Sequence, residues 1–215
     1  MTPPPRVEPK TIRVSHRELA TCLANPRAWA AQRRLGTKGF TPLPGYNAYL
    51  KYAMKRLDGG DTLAAASAYF MTVTGKLINS EKKNERIAWL ASYDQWKKTA
   101  GMVGCDWFAR PLLAAGNIEL GGQVDRVDFL QGQVSYRGIL LREENPTAGW
   151  RNEPAYPLLQ YGLATRYGRP VEEFGVGIQR LDASDLEVTV YSPEELEAAV
   201  KAFQRLAKRI SQLIR

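Results

Sequence analysis

Apolar positions recur along this chain with two different periods, and the change from one to the other falls near residue 100. Before that point the spacing is helical. Ser15 and Glu18 have the spacing of a capping box, and Leu19, Leu23 and Trp29 continue on one side of a helix reaching about Arg34, with Pro26 breaking or restarting it. Thr41 to Gly45 is a Pro/Gly turn. Helices then follow over about Tyr46–Leu57, Asp61–Thr74 and Ser80–Thr99, the last with Trp89, Tyr93 and Trp96 on one face. From Gly101 the pattern turns strand-like. Asp106–Leu113 reads as a short strand, and a hairpin pairs Ile118–Phe129 with Gln133–Leu141 across the turn Gln131-Gly132. Arg142 to Glu153 is a polar loop. A helix over about Pro154–Tyr167 and strands over Val171–Gln179 and Leu186–Tyr191 come next. The closing helix starts at the box Ser192, Pro193, Glu195, with Leu196, Val200, Phe203, Leu206 and Ile210 on one face.

This order predicts an α/β protein: a mixed central sheet flanked by helices, behind a helical N-terminal region. The expected organisation is a flexible proline-rich arm over residues 1–14 and one domain over 15–215, helical over 15–100 and α/β over 101–215. With 215 residues of which 44% are hydrophobic, the chain can bury a core. No apolar run is long enough for a membrane span, and MTPPPRVEPK lacks the apolar stretch of a signal peptide, so a cytoplasmic location is expected. Cys22 and Cys105 are too few and too far apart for a disulfide framework or an iron–sulfur cluster, and His16 is the only histidine. The charge is informative: 30 Lys and Arg against 22 Asp and Glu give +8 and a pI near 9.5. Such a balance suits a polyanionic partner.

The order of motifs resembles the RecB-type branch of the PD-(D/E)XK nuclease superfamily. Ser15, Leu19, Pro26 and Trp29 match its N-terminal helix. Gly122-Gln123-Val124-Asp125-Arg126-Val127-Asp128 matches its G-x-x-D-R-h-D strand (h, hydrophobic). Val134-Ser135-Tyr136-Arg137-Gly138 loosely matches the following V-x-D-h-K-T-G strand. Gln160-Tyr161-Gly162-Leu163-Ala164 and Gly168-Arg169-Pro170-Val171 match the later helix and strand, with the family's glutamine position occupied by Pro157. By this resemblance Asp125, Ser135 and Arg137 are the remnants of the catalytic site, and Asp125 is the one metal ligand left. Magnesium requires hard anionic oxygens and binds poorly to one carboxylate. Serine in place of the second acid and arginine in place of the lysine therefore imply a site that has lost metal-dependent cleavage. Asp128 is expected to point away from the face of Asp125. Glu143 shares the parity of Ser135 but lies about 26 Å further along an extended strand.

Three readings follow. The first is a catalytically degenerate nucleic-acid-binding protein, with DNA as partner and a role in recombination, repair or mobile-element DNA processing implied by the resemblance. Arg126, Arg137, Arg142, Tyr161, Arg205, Lys208 and Arg209 would contact the strand, with Arg137 as a phosphate clamp, and no cofactor is expected. The second is an active Mg²⁺-dependent exo- or endonuclease whose site has been rebuilt from Asp125 with Glu143 or Glu144. The third is a scaffold that binds a protein partner.

Overall fold

The computed structural model describes residues 11–34 and 45–214. The expected arm before Thr11, the turn at 41–44 and Arg215 lie outside the described residues. The first element among the described residues is strand β1 (Ile12–Ser15), where a free arm was expected to continue to residue 14. Helices α1 (His16–Ala24) and α2 (Pro26–Arg34) follow, divided at Asn25 where proline restarts the chain. The Ser15–Glu18 box forms in both directions and fixes the start of α1. Helices α3 (Tyr46–Asp58), α4 (Leu63–Thr74) and α5 (Ser80–Thr99) come next, the last two capped by Thr62 and Asn79.

The α/β half contains β2 (Met102–Trp107), β3 (Leu112–Ala115), β4 (Ile118–Gly121), β5 (Arg126–Leu130), β6 (Tyr136–Arg142), α6 (Ala155–Tyr167), β7 (Phe174–Arg180), β8 (Leu186–Thr189) and α7 (Pro193–Ile214). Five strands make the main sheet in the order β2-β5-β6-β7-β8. Its pairings are antiparallel except β6–β7, which run parallel across the α6 crossover. A second, three-stranded sheet has the order β1-β4-β3, with β1 parallel and β3 antiparallel to β4. Both sheets are mixed, and helices flank them.

The expected long strand over Ile118–Phe129 is corrected here. It is two strands in two different sheets, separated at Gly122–Asp125. Beside the break, Val124 N–H bonds the Ala109 carbonyl and Asp125 N–H bonds the Ile139 carbonyl, at 2.9 and 3.0 Å. A residue other than glycine at position 122 would overlap the ring of His16. Only β5 and β6 form the expected hairpin.

Three cores hold these layers. Leu50, Leu57, Phe70 and Leu90 of α3–α5 pack on Ile139 and Leu141 of β6. Leu159 and Leu163 of α6 cover the opposite face through Val127 and Val176. The small sheet, through Ile118 and Leu120, packs with α1, α2 and Phe203, Leu206 and Ile210 of α7. Each such fully buried side chain contributes about 1.5–3 kcal/mol. No helix among the described residues is long and apolar enough to cross a membrane.

A candidate site around Asp125

Asp125 sits at the start of β5, where the chain leaves the Gly121-Gly122 break and enters the main sheet. It is 6% exposed. One carboxylate oxygen, Oδ1, lies 2.8 Å from Nζ of Lys51 on α3. The other, Oδ2, accepts the backbone N–H of Leu141 at 2.7 Å, and Arg142 Nη1 stands 3.8 Å from it. Lys51 Nζ also donates to the Leu141 carbonyl at 3.2 Å. The lysine thus ties α3 to the end of β6 and to the acid at once.

One turn earlier on α3, Asn47 donates to Glu143 at 2.8 Å, and buried Arg86 of α5 pairs with the same carboxylate. The Asn47 amide, followed by Arg86 and Lys82, holds the Glu143 carboxyl below its usual range against the partial desolvation that would raise it. Arg86 is itself held flat on Trp89, its guanidinium carbon 3.5 Å from the ring centroid. Spacing of four residues places Asn47 and Lys51 on one face of α3, each holding one acid.

The partner strand does not present Ser135 and Arg137 to Asp125. The register pairs Arg126 with Ile139, so the residues beside Asp125 are Ile139 to Arg142. Ser135 lies in the turn, its hydroxyl donating to the Gly132 carbonyl at 3.0 Å. Arg137 is directly across from Asp128 and pairs with it at 3.0 Å. Glu143 follows the end of β6 and is held by Asn47, one turn of α3 from Lys51, the partner of Asp125.

A second polar cluster occupies the sheet face towards α5. Asp128 is fully buried, as is Arg126, which grips it through Nε and Nη2. Arg126 also donates to Tyr93 Oη at 3.1 Å and Gln179 Oε1 at 2.9 Å, and its guanidinium carbon lies 4.7 Å from the Trp96 ring centroid. Asp58 completes the cluster by accepting from Tyr93, Trp107 and Cys105. Burial and the neighbouring Asp58 push the Cys105 thiol up to about 12, so it is inert. This geometry corrects the expectation for Arg126. With no exposed surface, Arg126 cannot reach a nucleic-acid strand, and Arg137, partly exposed, pairs with Asp128 through Nη2.

Among the other expected contact residues, Arg142 is the one brought to Asp125. Tyr161, 37% exposed on α6, lies along the groove with α7. Arg205, Lys208 and Arg209 are exposed on α7 and make no ion pair among the described residues. Gln160 is structural: buried on α6, it donates to the Val171 and Tyr191 carbonyls and accepts the Tyr191 N–H. Lys51, Asn47 and Arg86 were missed by sequence reasoning. The local signal was two polar residues four apart in the first half of α3, Asn47 and Lys51.

His16 belongs to the support of the site. Its half-buried ring packs against Gly122, and burial lowers its pKa to about 4, against the opposing effect of the Gly121 backbone. Below pH 6.5 the unfolded chain binds a proton on this residue that the folded chain refuses until about pH 4. Stability therefore falls as pH drops through that window and is unaffected by His16 above it, by on the order of 3 kcal/mol in total. Urea unfolding at stepped pH should show a shallower loss for His16→Phe than for the parent protein. Equal slopes would mean that the ring is solvated.

No group of three or more His, Cys, Asp or Glu side chains among the described residues is placed to hold a metal ion. Fold and site together define an α/β protein whose mixed sheet carries a buried aspartate paired with a lysine from the helical layer. No protein-family profile and no curated protein matches the chain. Among solved structures it is similar to a crystal structure from Eubacterium rectale named "Putative exonuclease", at 8% identity and a TM-score of 0.42, over 77% of this chain and 67% of the other.

Proposed function

We propose that this chain is a nucleic-acid-binding protein on a nuclease-like fold of the RecB type, without metal-dependent cleavage, and that its partner is DNA. The observation that carries this reading is the engagement of Asp125. Lys51 occupies one carboxylate oxygen and the Leu141 N–H the other, and the flanking strand residues are Ile139 to Arg142, with no second acid. A divalent cation requires several hard oxygen ligands, and here it would have to displace an ammonium group. The exposed cations of α7 supply the phosphate contacts of the reading, and counterion release would make binding strongly salt-dependent. A role in DNA recombination, repair or mobile-element processing follows from the sequence resemblance.

A second reading has one observation in its favour. Asn47 and Lys51 bring Glu143 and Asp125 to the same face of α3, a pairing from which a rebuilt metal site with bound Mg²⁺ could start.

Labelled single- and double-stranded DNA incubated with Mg²⁺ or Mn²⁺, with a salt titration in parallel, separates these readings. The expected result is salt-sensitive binding without cutting. Replacing Arg205, Lys208 and Arg209 together by glutamine should reduce the log–log salt slope by roughly 2–3. Metal-dependent cutting abolished by Asp125→Ala would overturn the non-catalytic reading and favour the rebuilt site. Absence of both binding and cutting would favour a protein-binding scaffold.

A further inference from the structure

Beside the Asp125 cluster, beyond the end of β6, a cavity of about 310 Å³ opens between the loop after β6 and the start of α6. Its apolar walls come from Pro146, Trp150, Tyr156 and Ile178. The Trp150 and Tyr156 rings meet edge to face with centroids 4.9 Å apart, and Trp150 Nε1 is fixed by Glu187 at 2.9 Å. Trp150, 2% exposed, is thus a buried backing, and Tyr156 is the aromatic wall that faces the cavity. At the mouth stand Glu144, Asn145 and Thr147. Asn145 Oδ1 already accepts from Arg180, which leaves its amide N–H groups as donors. Glu144 and the Thr147 hydroxyl make no side-chain hydrogen bond or ion pair among the described residues. Arg142 lines the same cavity and reaches back towards Asp125.

We infer that this cavity holds one unpaired nucleotide of a bound strand. The base lies against Tyr156, which Trp150 backs, its amino edge is read by Glu144 and Asn145, and its phosphate is held at Arg142. The inference rests on the nucleic-acid reading above and adds where a base is taken out of the stack. The volume is that of a small-ligand site, apolar walls with few convergent polar groups are the usual composition of such sites, and aromatic surfaces are what unstacked bases bind. A carboxylate accepts from the exocyclic amine of a base, so cytosine, adenine or guanine should be preferred to thymine. Glu143, also at the mouth, is already held by Asn47 and Arg86, which limits its repulsion of the phosphate.

The test uses the full chain, a short labelled single strand, and free deoxynucleoside monophosphates followed by tryptophan fluorescence. Thr147→Trp places a bulky ring in the mouth from an exposed loop position, and Glu144→Gln removes the acceptor charge without changing shape. Both proteins are checked for an unchanged Tm. Thr147→Trp is expected to weaken strand binding about tenfold or more, the value of one stacked base. Glu144→Gln should reduce the preference for amino-bearing bases over thymine. Strand binding unaffected by Thr147→Trp, with no response to mononucleotides, overturns the pocket while leaving the nucleic-acid reading intact. A mononucleotide response abolished by Thr147→Trp in the absence of strand binding supports the pocket and removes the strand reading. No response to either probe overturns both.

Discussion

Replacing Arg126 by methionine is expected to destabilise the protein by about 3–5 kcal/mol in urea unfolding, the largest single effect anticipated for a side chain of the polar clusters. The substitution removes more than one ion pair. Asp128 is fully buried and has two cationic partners, of which Arg126 is the closer and doubly bonded one. Without it the carboxylate keeps only Arg137, Tyr93 Oη and Gln179 Oε1 each lose a donor, and the aromatic cage of Tyr93, Trp96 and Trp107 loses its cation. A buried carboxylate left with one cation instead of two carries most of the penalty. The double replacement Arg126→Met with Asp128→Asn should therefore recover a substantial part of the loss. Equal stability of the single and double variants would mean that packing, and not the uncompensated carboxylate, dominates. Because Arg126 has no surface, a folded Arg126→Met protein should bind nucleic acid with the same salt slope as the parent.

Gly177→Ala is expected to cost about 2–3 kcal/mol, towards the upper end of the range for overpacking. Gly177 lies in β7, which is buried on both faces between β6 and β8. A methyl group there would stand 2.6 Å from the Glu187 carbonyl oxygen and 3.1 Å from both Ile139 and Val188 side chains. The first of these is backbone in a paired strand, so relief requires β8 to move. Gly138→Ala is the informative comparison. Its methyl group would overlap Leu163, but the atom it meets is the end of a side chain that can change rotamer. Thermal unfolding should show a clearly smaller loss for Gly138→Ala. The reverse order would mean that β8 yields more easily than the α6 core. Movement of β8 would also disturb Glu187, which fixes Trp150, so Gly177→Ala should weaken any binding that depends on the cavity.

Much of the local structure was written in short-range signals. The boxes at Ser15–Glu18 and Ser192–Glu195 start helices where their spacing placed them, and α5 occupies the expected Ser80–Thr99. The hairpin β5–β6 was also legible, because a turn flanked by alternating β-formers specifies its own pairing. These signals act over a few residues, and a few residues suffice to read them.

Tertiary structure decided what those residues face. β4 and β5 are contiguous enough to read as one strand, yet β4 pairs with β1, more than a hundred positions earlier, and no local pattern encodes that choice. Arg126 and Arg86 look like surface cations because arginine usually is one. Both are buried because acceptors and aromatic rings from distant elements converge on them. The motif pattern places the basic partner of Asp125 on the adjacent strand. It arrives instead from α3, as Lys51, because packing of the helical layer on the sheet brings that face of the helix over the end of β6. The sequence alone determined the helices from α3 to α7, their caps and the β5–β6 hairpin. The residues that neutralise Asp125 depend on contacts between segments far apart in the chain, which exist only once the layers have packed.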